Sequence, residues 1–330
     1  MGLLAAFAVT IAWLASPRAT EPARDVGPVP PRVMLDASAL LATQYRVEPN
    51  IVYLTAGKWD GKLDLYLPRH SQGALPAVIN FHGGGWVTGD KNEIALDVLP
   101  YLAMGFAVVN ADYRLARDAL APAAVEDCRC VLRWVIRHAA QYGLDARRLV
   151  LTGSSAGAHL ALMTALAPPS AGFDRLCPGD EELRVAAVVN FFGVVDVADL
   201  LAPQHRRDFA LGWLGDRPDR EKVARWVSPI TYVTDGMPPL AVLTVHGDAD
   251  PVVPYEQAVR LHQALEHVGA PNRLLTVRGG RHGDFRGDEV LRVTRTVREF
   301  LGRQGIIKMP SAAAPSPPSS SSQASAPARL

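Results

Sequence analysis

Cysteine is scarce in this chain, with three residues in 330. Cys128 and Cys130 stand two apart in a helix-like run, where side chains diverge and cannot easily bridge one another. Cys177 lies in the loop-like run Leu176-Cys177-Pro178-Gly179. The expectation is buried or idle thiols, with no zinc-type pairing and no metal. No excess of one charge exists either, with 34 basic residues against 33 acidic. That balance gives no electrostatic reason to expect nucleic acid or an anionic membrane as partner. A G-x-x-x-x-G-K-[ST] phosphate loop and a dinucleotide fingerprint are both missing, so no nucleotide cofactor is implied. Internal repeats are absent as well.

Long apolar runs are limited to Leu3–Ala15, which has signal-peptide length and is too short for a comfortable membrane span. It lacks a preceding Lys or Arg and a clean A-x-A site. The reading favours an exported or membrane-anchored protein over a cytoplasmic one, with membrane contact only through this segment. Residues 1–32 are expected to be this segment and a Pro-rich linker, 33–309 one catalytic-sized domain, and 310–330 a disordered Ser/Ala/Pro tail. Such a tail has too little apolar surface to offset its ordering entropy. At 48% apolar, the chain can bury one large core.

Chemistry-bearing motifs are present, each after an apolar strand. Arg148-Leu149-Val150-Leu151-Thr152 leads into Gly153-Ser154-Ser155-Ala156-Gly157, a G-x-S-x-G run followed by a helix-like stretch. A serine on so sharp a strand-to-helix turn projects its hydroxyl above the sheet, at a helix N-terminus that favours negative charge. Upstream, Val78-Ile79-Asn80-Phe81 runs into His82-Gly83-Gly84-Gly85-Trp86. Its bare backbone N–H groups suit an oxyanion hole. Downstream, Leu240–Val245 ends in His246-Gly247-Asp248-Ala249-Asp250, and Leu274–Val277 leads to Arg281-His282-Gly283. In an open parallel sheet, loops at the strands' carboxyl ends share one edge, so the four pieces can converge.

From about Arg46 to about Leu301 the sequence resembles the α/β-hydrolase serine esterases. Asp112-Tyr113-Arg114-Leu115 and Pro122–Asp127 look like the hormone-sensitive-lipase-type branch. Two features depart from it: Ser154 stands where that branch carries an acidic residue, and the acid motif is H-G-x-x-D followed by V-V-P. In these the chain looks more like acetyl and feruloyl esterase-like hydrolases. The resemblance implies a mostly parallel eight-stranded sheet, helices on both faces and a small lid-like insertion at about 193–237. It implies Ser155 as nucleophile, His282 as base and Asp250 as acid, with Gly84, Gly85 and Ala156 as oxyanion donors. No cofactor is implied, and the partner is a small-molecule ester; oligomeric state is left open. The same fold also hosts peptidases, amidases and non-catalytic binding proteins, which stand as alternatives.

Dull roles compete for several of these residues. Asp248 and Asp250 both suit a turn; Asp127 and Asp196 are outside candidates for the acid, and Asp196, after the sixth strand, is the second choice. His82, His159 and His246 are assigned to structure, His82 through a hydrogen bond that fixes the glycines. Asp112 and Arg114 are expected to pair beneath the glycine loop. Trp86 is read either as pocket lining or as core.

Overall fold

The computed structural model describes residues 43–71, 73–93 and 97–308. The apolar N-terminal segment, the Pro-rich linker and the Ser/Ala/Pro tail lie outside the described residues. The strands are β1 Tyr45–Ala56, β2 Trp59–Pro68, β3 Leu75–Phe81, β4 Ala107–Ala111, β5 Leu144–Ser154, β6 Ala187–Phe191, β7 Ala241–Gly247 and β8 Asn272–Val277. They form one eight-stranded sheet in the order β1-β2-β4-β3-β5-β6-β7-β8. β1 and β2 make an antiparallel hairpin, β2 runs antiparallel to β4, and every later pair is parallel. The helices are α1 Leu99–Ala103, α2 Ala123–Tyr142, α3 Ala156–Leu166, α4 Asp208–Leu214, α5 Arg220–Trp226, α6 Tyr255–His267 and α7 Asp288–Arg303.

Alternation along the strands divides the core between two faces. Ile79, Phe81, Leu149 and Leu151 join one cluster with Val131 and Leu132 of α2, Leu160 of α3 and Leu261 of α6. Asn80 and Thr152 point the other way, where they share a cavity with Tyr101 of α1 and Val293 and Val297 of α7. With both faces covered, the central strands read as continuous apolar runs, and β7 is buried throughout. α7 begins with Asp288 and Glu289, charges that favour a helix N-terminus.

Between β6 and β7 the insertion forms α4, α5 and two short 3-10 turns, Asp199–Leu201 and Pro229–Tyr232. It is fastened at several points. The Trp226 indole stacks on Phe173 at 4.7 Å and donates to Ala171 O at 3.0 Å. Trp213, fully buried, stacks on Trp86 with ring centroids 4.2 Å apart.

Two sequence expectations need correction. Cys130 and Cys177 are joined in a disulfide, with Cα atoms 5.4 Å apart, while Cys128 is free and buried. The partner of Cys130 is not its neighbour in α2 but a residue 47 positions on. It is brought there by an arm whose Asp174 meets Arg129 at 2.6 Å and whose Glu181 meets Arg133 at 2.5 Å. Asp112 and Arg114 do not pair. The Arg114 guanidinium instead grips the Asp127 carboxylate in the first turns of α2, at 2.7 and 2.9 Å, a two-pronged fit that Asp112 does not offer. Asp112 accepts the Lys91 backbone N–H at 2.7 Å and so still anchors the segment beyond the glycine loop.

Candidate active site

Ser155 sits where β5 turns into α3, with φ 53° and ψ −117°. Positive φ in a non-glycine residue stores roughly 1–3 kcal/mol of strain and persists only when its surroundings enforce it. Here the Ser155 N–H donates to Phe191 O at 2.9 Å, and its carbonyl accepts the His159 N–H at 3.1 Å. The flanking glycines are steric necessities. A Cβ on Gly153 would lie 2.5 Å from Phe81 O and 2.6 Å from Gly157 C. One on Gly157 would collide with the carbonyl oxygens of Phe81 and His82. The end of β3 therefore crosses the elbow too closely for side chains.

That crossing carries the glycine loop to the serine. A Cβ on Gly83 would come 3.1 Å from Ser154 Oγ and 3.7 Å from Ser155 Cβ. Gly84 and Gly85 have φ of 111° and 59°. His82 Nδ1 donates to Gly83 O at 2.7 Å, its ring lies on Tyr113 at 4.2 Å, and the Tyr113 hydroxyl donates to His82 O at 2.8 Å. Burial lowers the His82 pKa, so the ring favours the neutral form that this packing needs. Among the described residues, the backbone N–H groups of Gly84, Gly85 and Ala156 make no hydrogen bond. Free donors at a helix N-terminus and a bare loop suit a developing anion.

Trp86 belongs to the core, with no exposed surface. Its indole N–H donates to His159 Nδ1 at 3.2 Å, and His159 Nε2 donates to Val227 O at 2.6 Å. Burial pushes the His159 pKa down to about 4, against the smaller effect of the Val227 carbonyl, so the ring is neutral at pH 7. Phe209 closes over the loop, within 2.9 Å of where a Gly85 Cβ would stand.

Of the four acid candidates, the structure brings only Asp250 to His282. Nδ1 of His282 donates to Asp250 Oδ2 at 2.7 Å. The other oxygen, Oδ1, accepts the N–H groups of Val252 and Val253 at 2.8 and 3.0 Å. Burial alone would raise the Asp250 pKa. Hydrogen bonds from His246 and His282, the His282 charge and the Val252 N–H outweigh it and hold the carboxyl well below its ordinary range. Asp248 instead accepts the Gly279 N–H at 2.6 Å, and Asp196 pairs with Arg260 at 3.1 Å.

His282 is 19% exposed whereas Asp250 is fully buried. Phe192 links the surroundings of His282 to those of Ser155. Phe191 O receives the Ser155 N–H, and the next residue sets its ring edge-on to His282 at 4.6 Å. No hydrogen bond joins Ser155 Oγ to His282. Phe192, with φ 43°, was not among the sequence candidates. Its place at the carboxyl end of a central strand was the available signal. Phe209 and Trp213 were missed as supports because their partners are distant in sequence.

A cavity of about 360 Å³ adjoins this edge. Phe191, Phe192, Phe285, Val290 and Val293 give it apolar walls, and Asn80, Thr152 and Asp97 add polar groups. Ser154 and Gly283 line it too, so it borders the chain neighbours of both Ser155 and His282. Among the described residues, no group of His, Cys, Asp and Glu is arranged to hold a metal.

Sheet order, elbow and bare loop define an α/β-hydrolase-fold protein of the hormone-sensitive-lipase-like kind. The BD-FAE family profile matches residues 63–265, and the chain belongs to that family. Probable carboxylic ester hydrolase LipM of Mycobacterium tuberculosis is 34% identical over 193 residues, 56% of this chain and 44% of LipM. Esterase LipQ of the same organism is 32% identical over 239 residues, 69% of this chain and 55% of LipQ. The chain thus spans about half the length of these curated relatives. A truncated carbohydrate esterase from gut microbiota superposes with a TM-score of 0.65 at 28% identity, over 79% of this chain and 97% of that one. Propionate-bound esterase 2 of Thermogutta terrifontis gives 0.67 at 26% identity, over 82% and 97%.

Proposed function

We propose that the chain is a serine carboxylesterase acting on small, short-chain esters. The observation that carries this reading is the buried Asp250–His282 pair beside a strained Ser155 flanked by free N–H donors. Ser155 Oγ attacks the ester carbonyl carbon while His282 Nε2 takes its proton. The N–H groups of Gly84, Gly85 and Ala156 receive the resulting oxyanion. Collapse expels the alcohol, which leaves with the proton from His282. Water then gives a proton to His282 and attacks the acyl-enzyme, releasing the acid and Ser155. Asp250 holds the imidazole in one tautomer throughout.

The adjoining cavity, near the lower end of the usual range for ligand sites, supports a short apolar limb on the substrate. Binding of propionate by the Thermogutta terrifontis neighbour supports the same choice.

Ser155→Ala tests the nucleophile. It should lower kcat by about 10⁶-fold if chemistry limits the rate, without unfolding the protein. An organophosphonate should label Ser155 alone. Labelling at Ser154, or full activity in the alanine variant, defeats the assignment. A panel of p-nitrophenyl esters from acetate to palmitate, with an aminoacyl anilide beside it, separates short-chain esterase from amidase.

A further inference from the structure

The Asp250 carboxylate has a second histidine that the proposed reaction does not use. His246 ends β7, and its side chain is as fully buried as that of Asp250. Its Nε2 lies 3.2 Å from Asp250 Oδ2 and 3.1 Å from Val253 O. Both neighbours are acceptors, so Nε2 must carry the hydrogen. Nδ1 is buried and has no hydrogen-bond partner. The ring is thus a one-sided donor whose Nε2–H lies between the Val253 carbonyl and the Asp250 carboxylate. Asp250 is closely ringed as a result: two backbone N–H groups meet Oδ1, the His282 Nδ1–H meets Oδ2, and His246 Nε2 stands 3.2 Å from Oδ2.

We propose that His246 is a positioning residue whose Nε2–H holds Asp250 Oδ2 and limits how strongly that carboxylate draws on His282. This rests on the esterase reading above. A donor on Oδ2 takes up negative charge that would otherwise fall on the other imidazole. Its dipole also turns its positive end toward the place where the imidazolium forms. Both effects weaken the hold of the carboxylate on the imidazole of His282.

The titratable groups facing His246 are few. Asp250 lies on Nε2 and His282 beyond it. Tyr255 of α6 stands edge-on at 5.7 Å, its hydroxyl engaged with Thr276 Oγ1. The nearby cation on the acid loop is Arg207 from the insertion, which donates to Val252 O at 2.7 Å and Pro251 O at 2.9 Å. Neither Tyr255 nor Arg207 donates to Asp250, so loss of His246 has no ready substitute.

The test compares His246→Leu, His246→Asn and His246→Gln with the natural chain. The Gln amide reaches the place of Nε2, whereas the Asn amide falls short. In the Leu and Asn variants the acid limb of kcat/KM should move up by roughly half to one pH unit. In those two, kcat should fall about tenfold with KM little changed. His246→Gln should stay near the natural profile. If the Leu variant does not fold, the Asn and Gln pair still decides. NMR titration of the His282 ring should show the same displacement with no substrate present. If no ester is hydrolysed, the functional reading fails while this titration still judges His246. An unmoved His282 titration in the Asn variant, or a Gln variant displaced as far as the others, overturns the proposal.

Discussion

The indole of Trp86 lies almost parallel to that of Trp213, 4.2 Å away and 15° from coplanar. One ring belongs to the glycine loop and the other to helix α4 of the insertion. The pair therefore fastens the proposed oxyanion donors to a segment that a lid would need to move. Phe209, one turn earlier in α4, adds a second contact against Gly85.

Trp213→Ala should consequently lower kcat more than it raises KM for a small ester. Misplacement of reacting groups by about 1 Å can cost roughly 10²-fold. The cavity left behind should also cost about 3–5 kcal/mol of stability. Trp213→Phe should be milder on both counts, because the indole N–H of Trp213 has no partner to lose. Steady-state kinetics and thermal melts of the two variants check this.

The neighbouring aspartates separate in the same kind of measurement. Asp250→Asn should lower kcat by about 10⁴-fold, the size expected when an amide favours the wrong imidazole tautomer. Asp248→Asn should leave kcat close to natural and cost about 1 kcal/mol of stability, since its carboxylate serves the Gly279 turn. A large kinetic effect at Asp248 would mean that its turn, and not the Asp250–His282 contact, governs the chemistry.

Acid should destabilise the fold in two stages. His159 has a folded pKa of about 4, below the ordinary histidine value. The unfolded chain therefore binds its proton first, and the penalty grows as pH falls from about 6.5 to about 4. Asp250 is lowered from the carboxylate range, so the stability it contributes at higher pH is lost only as pH falls below about 4. Melting temperature against pH should show the upper stage flattened in His159→Gln and the lower one diminished in Asp250→Asn.

Reduction should release one free arm of the structure. The Cys130–Cys177 bridge closes a segment 47 residues long, and by chain entropy a loop of that size contributes about 4 kcal/mol. Denatured protein should titrate one thiol before reduction, that of Cys128, and three after it. Cys177→Ser should melt lower than the natural chain and become insensitive to reductant.

Local chemistry pointed to several of the proposed reacting groups. Gly153 and Gly157 signal a close crossing and the glycines after β3 signal bare backbone, while the choice of Asp250 over Asp248 came from the resemblance to the family's H-G-x-x-D motif. The strands that lead to the motifs followed from their apolar runs, although β5 starts several residues before the run at Arg148–Thr152. What stayed hidden was contact between distant segments. Cys177 reaches Cys130 on an arm held by pairs such as Arg129–Asp174 and Arg133–Glu181, and nothing near Arg114 in sequence announces Asp127 as its partner. His246 looked like a strand terminus because its meaning depends on where Asp250 turns back. Trp213 had no recognisable partner until α4 was laid over the loop.

The dependence of the glycine loop on α4 also bears on synthesis. Trp86 and Gly85 emerge early, whereas Phe209 and Trp213 follow only after β6 has been made. A nascent chain that ends before α4 can possess the serine, its elbow and the central strands, yet lack the wall against which the loop is shaped. Contacts of such long sequence separation form late. The proposed hydrolytic competence therefore belongs to the chain with α4 in place, not to the half that carries Ser155.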